Sequence, residues 1–150
     1  MSEYLKLYGG TVTSGGTDGT AISEDMAQTN PVSASLNAKN AETKAIKLAL
    51  RCTSGFQTYG NTTVKAYYYN GKAYVDTGGN IGKFSFAADN GYSDGADAIA
   101  NATWTSSLTI SDVIGSTNQV FWVKIASDAT QIPQKDTTVS IHVEGVVEAV

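Results

Sequence analysis

A chain of 150 residues with a net charge of −4 and a pI near 4.8 is long enough for one domain and lacks the basic surface needed to neutralise phosphates. This excludes nucleic acid and anionic membrane surfaces as partners of first choice. Charged residues are only 16% of the chain, against a usual share of about 25%, so solubility rests on hydroxyls and amides, as in β proteins that pack against copies of themselves.

In chain order, residues 4–8 are a weak strand candidate. Their N-terminal flank lacks the basic-then-apolar layout of a signal peptide, so synthesis and initial folding in a reducing cytoplasm are expected. Residues 9–31 are rich in Gly, Thr and Ser and carry little that could form a core. Such a stretch is either simply mobile or an extended arm that orders against a neighbouring subunit, and the apolar footholds Ile22 and Met26, with Val32 just beyond, favour the arm. The expected organisation is an N-terminal strand and arm over 1–31 and a β-sandwich over 32–150, one structural domain in all. Removing residues 1–31 is then expected to abolish assembly and leave the sandwich folded.

Residues 32–36 are a second weak strand candidate. Residues 45–52 alternate, with Ile46, Leu48, Leu50 and Cys52 on one face and Ala45, Lys47, Ala49 and Arg51 on the other, the period-2 pattern of a half-buried strand. Cys52 is the only cysteine, so no intrachain disulfide can form, and its phase marks it as a buried small hydrophobe. The β-branched and aromatic run 62–69 meets residues 73–76 across Asn70-Gly71, a dipeptide suited to the two positive-φ positions of a type I′ hairpin.

Further strands are expected at 83–87, 104–110, 120–126 and 137–143. A short helix is expected over 94–102, capped by Ser93 or Asp94. About eight or nine short strands separated by turns predict an all-β, two-sheet antiparallel sandwich. No apolar stretch approaches the ~18 residues of a membrane span.

A catalytic constellation is hard to assemble. The one histidine, His142, shares a strand face with Glu144, and two such neighbours on the outer face of a sheet read first as solvated surface. One His and one Cys cannot supply a zinc site. The acidic loop 89–97 fails the EF-hand spacing, with Gly91 at position 3, Asp94 at position 6 and Ala100 at position 12, and reads as a turn. No glycine pair has nucleotide-loop spacing, and no cofactor is expected.

Aromatic side chains carry what remains. Tyr67, Tyr69 and Tyr74 lie on the predicted hairpin, where outward rings can anchor a protein interface, stack on sugars or stabilise the hairpin across strands. Trp122 shares a face with Val120 and Lys124, while Phe121, Val123 and Ile125 form the core side. Trp122 is therefore expected to be partly exposed and available to a partner.

Three phrases carry a family likeness: Tyr4-Leu5-Lys6-Leu7-Tyr8-Gly9-Gly10-Thr11-Val12; Thr29-Asn30-Pro31-Val32 through Ser35-Leu36-Asn37-Ala38 to the 45–52 strand; and Ile114-Gly115-Ser116-Thr117-Asn118-Gln119-Val120-Phe121-Trp122, leading to Pro133 and Asp136-Thr137-Thr138-Val139. With them the chain resembles small structural proteins of tailed bacteriophages and clostridial-type prophages. The resemblance implies an immunoglobulin-like sandwich located in the virion as a head decoration or tail-associated protein. It also implies that strands 121–125 and 139–143, joined through Pro133, form a closing hairpin. Its partners would be other virion proteins and copies of itself. A carbohydrate-binding or adhesin-like module is the alternative, motivated by the tyrosines, and an enzyme is not expected.

Overall fold

The computed structural model describes residues 4–23, 30–130 and 136–150. In chain order the strands are β1 (Leu5–Gly9), β2 (Thr20–Ala21), β3 (Thr43–Cys52), β4 (Phe56–Tyr69), β5 (Tyr74–Val75), β6 (Phe84–Ala88), β7 (Ser107–Ile110), β8 (Gln119–Ala126) and β9 (Val139–Ala149), with helix α1 (Gly95–Asn101) between β6 and β7. They form two packed antiparallel sheets, so the chain is an all-β sandwich. The first sheet has the order β2-β1-β3-β8-β6. In the second, β4 is central, with β9 along one side and both β5 and β7 on the other.

Alternation fills the space between the sheets. Leu5, Leu7, Leu48, Leu50, Cys52, Phe86, Phe121 and Val123 come from the first sheet and Val64, Ala66 and Ile110 from the second. Half-buried Val139, Ile141 and Val143 of β9 close over them. Cys52 is buried as expected and its Sγ–H donates to Ile114 O at 3.3 Å; burial pushes its thiol pKa up. Helix α1 starts where the sequence places a cap, with the Asp94 carboxylate accepting the Asp97 N–H.

Four expectations are corrected. Residues 32–36 form no strand; they wall a shallow cleft against the start of β3 and one face of α1. The β4–β5 turn centres on Gly71-Lys72 instead of Asn70-Gly71. Only Gly71 has a positive φ, at 92°, and the Asn70 side chain instead accepts the N–H groups of Lys72 and Ala73. The third correction concerns β8 and β9, which are not a hairpin. β8 pairs with β3 and β6, whereas β9 crosses to the other sheet and pairs with β4, which at 14 residues can take all of β9's 11.

The fourth concerns the arm. Over its described part, residues 10–23 fold back on their own first sheet, where β2 pairs with β1 and Val12 joins Ala49 and Val120 in a small second core. Asp18 accepts from Thr13 N–H at 2.8 Å, from the Thr13 hydroxyl at 2.7 Å and from Asn118 Nδ2 at 2.8 Å. Arg51 donates to Asp18 O and to Asn118 Oδ1, both at 2.7 Å, and its guanidinium lies 3.6 Å from the centre of the Tyr8 ring. The reason is local. A strand face carrying Tyr8, Ala49 and Val120 is apolar enough to need covering, and the arm is the nearest chain. Gly19, at φ 104°, sits so close to Val12 that a Cβ there would come within 2.7 Å of it.

Candidate interaction surface

The two outer faces of the sandwich differ. That of the first sheet is covered at one end by the folded-back arm. At the other end it is covered by the β6–β7 connection with α1, which packs on β3. No described element covers the outer face of the second sheet. Strand pairing places Thr63, Lys65, Tyr67 and Tyr69 of β4 on it, beside Ser140, His142 and Glu144 of β9 and Tyr74 of β5.

Three of the anticipated residues meet there. Tyr67 stacks on His142 with ring centres 4.4 Å apart, Tyr74 meets the same imidazole edge-on at 4.5 Å, and Tyr69 leans on Tyr74 at 5.3 Å. The Tyr67 hydroxyl donates to Glu144 Oε1 at 3.1 Å, so Glu144 bonds to the tyrosine instead of the histidine two residues before it. Lys65 sits 5.2 Å over the Tyr67 ring and pairs with Asp76 at 3.6 Å. Burial pushes the Tyr67 phenol above its ordinary value, and the Glu144 hydrogen bond acts in the same direction. His142 moves the other way. Burial lowers its pKa below 6.5, which leaves it neutral at pH 7.

The other anticipated residues lie elsewhere. Ile22 is half-buried against the main core, with its N–H donating to Leu7 O at 2.9 Å. Met26 lies outside the described residues. Trp122 is on the face expected of it but only 4% exposed. Its indole N–H donates to Asp89 Oδ1 at 2.9 Å and Tyr92 covers it edge-on, because the long β6–β7 connection folds over this end of the sheet. Trp104 precedes β7, with Lys124 4.8 Å above its ring.

Tyr59 and Val146 escape a reading of the sequence. They are Cα partners across β4 and β9 on the same uncovered face, 67% and 63% exposed. Val150, further along, is 77% exposed. The Phe56-Gln57-Thr58-Tyr59 alternation signals this extension of β4, but Gly60-Asn61 interrupts it. Residues 60–62 stand opposite Gly145 alone in the β4–β9 ladder, and because the excess is two residues the phase is kept and Tyr59 and Thr63 share a face.

The acidic loop uses its carboxylates internally. Asp89 takes the Trp122 indole, Asp94 caps α1, and Asp97 accepts from Ser93 N–H at 2.9 Å and Asn101 Nδ2 at 2.7 Å. Among the described residues no three His, Cys, Asp or Glu side chains are grouped to hold a metal, and no helix is long and apolar enough to cross a membrane.

Comparison with known proteins adds no relative: no protein-family model, curated protein or solved structure matches the chain.

Proposed function

We propose that this protein is a non-catalytic assembly module, a phage or prophage virion component that binds capsid or tail proteins through the uncovered face of its second sheet. The observation that carries the reading is the contrast between the two faces. One is closed by the chain's own arm and helix; the other leaves Tyr59 and Val146, neighbours across two strands, largely open to solvent. Exposed apolar groups beside partly buried tyrosines match the composition of protein interfaces, where aromatic anchors dominate the energy. Many copies on a lattice would multiply a weak single contact. The virion setting and the immunoglobulin-like architecture come from the sequence resemblance, with the packed antiparallel sheets in support of the latter.

The glycan reading is less well served. Sugar stacking needs open aromatic faces, and the Tyr67 ring is already stacked on His142.

The test is incorporation into particles. Virions produced with the wild-type chain should contain it by mass spectrometry, and the Tyr59→Ser/Val146→Ser double variant should stay folded but remain in the unassembled fraction. Equal incorporation of the variant, or absence of the wild-type chain from particles, sinks the proposal.

A further inference from the structure

Two backbone hydrogen bonds fix which way β9 turns its peptide groups. Tyr69 N–H donates to Thr138 O just before the strand, and Val150 N–H donates to Gly55 O just after it. Both bonds join even-numbered residues of this segment to the β4 side. In an antiparallel ladder the direction alternates, so Val139, Ile141, Val143, Gly145 and Val147 direct their N–H and C=O groups away from β4, toward the free edge. No other described strand pairs with β9. An open edge of 11 residues is long, and this one contains neither proline nor lysine, the residues that commonly guard such edges.

We infer that β9 is a self-association edge, pairing antiparallel with β9 of a second copy about a two-fold axis at Val143. Strand parity and the avoidance of like charges select the register. With the axis at Val143, each Glu144 faces His142 of the second copy, Ser140 faces Val146, and Val139 faces Val147. An axis one residue later would set the two Glu144 carboxylates against each other. The pairing joins the two second sheets into one continuous sheet, with β9 and its copy at the centre. Their uncovered faces then merge into a single surface bearing two sets of Tyr59 and Val146. This deepens the assembly reading by naming a second copy as the first partner, and it is tested in solution, where particle binding plays no part.

In the paired state Ser140 and Val146 of the two copies face each other as a non-hydrogen-bonded pair, the closer of the two kinds. Within one chain they are about 20 Å apart, at ~3.3 Å per residue, too far for a disulfide. The Ser140→Cys/Val146→Cys double variant, mildly oxidised, should therefore run as a covalent dimer on a non-reducing gel. Each single variant should not. Buried Cys52 stays out of this chemistry. Sedimentation of the wild-type chain should show a reversible dimer. Val143→Pro deletes an N–H that the β4 ladder does not use, and should weaken the dimer about tenfold or more with an unchanged circular dichroism spectrum. A wild-type chain that is monomeric at all concentrations overturns the inference. So does a double-cysteine variant that cross-links no better than the single ones.

Discussion

Tyr67 and His142 lie face to face across the β4–β9 pair, with ring planes 27° apart, and so tie the last strand of the chain to the middle of the second sheet. The imidazole is covered by Tyr67 on one side and Tyr74 on another. A group that must shed water to enter such a site resists protonation, and that has a thermodynamic consequence.

Because burial lowers the folded-state pKa of His142 below its ordinary 6.5, the unfolded chain binds this proton more readily. The stabilisation is complete above about pH 6.5 and is lost as pH falls through the folded pKa. The melting temperature should therefore decline between pH 7.5 and 5. In His142→Gln the slope over that window should flatten. An unchanged slope would show that His142 is as hydrated folded as unfolded.

Asp18 holds the arm. Bonds from the Thr13 backbone and hydroxyl keep its carboxyl below the ordinary 3.8, so the clasp is intact at neutral pH and opens only as pH falls below that value. Asp18→Ala should raise amide hydrogen exchange over residues 10–20 and leave exchange in β3 and β8 unchanged. Uniform acceleration across the domain would mean that the arm supports the whole sandwich.

Residues 1–31 are not a detachable tail. Leu7 is 2% exposed and sits opposite Leu50, so Leu7→Ala should cost about 2–5 kcal/mol in urea denaturation. Deleting residues 1–31 removes all of β1 and uncovers Leu48 and Leu50, and should give an unfolded or aggregated product, contrary to the sequence-based expectation of a folded remainder. A truncated chain with a cooperative melt near the wild-type temperature would refute this.

The carboxylates of the 89–97 loop already have partners in Trp122, α1 and Ser93. Millimolar calcium should leave the melting temperature unchanged. A rise of several degrees would require these bonds to be exchanged for metal ligation.

Alternation and turn chemistry determined much of this protein. Ile46, Leu48, Leu50 and Cys52 point to β3, the Asn-Gly pair to a turn between β4 and β5, and Asp94 to the start of α1. Each of these is a local matter of side-chain period or capping, settled within a few residues. The tyrosine cluster was legible for the same reason, since Tyr67 and Tyr69 must share a face. Pairing between distant segments was not. Nothing local tells β9 to prefer β4 over β8, because either strand offers an equivalent backbone ladder and only the closed sandwich decides between them. Burial on the outer faces was hidden likewise. Trp122 and Tyr59 both occupy outward strand positions in amphipathic runs, yet one is roofed by a long connection and the other is bare. Strand period fixes which side a residue points to, while the rest of the chain fixes what lies there.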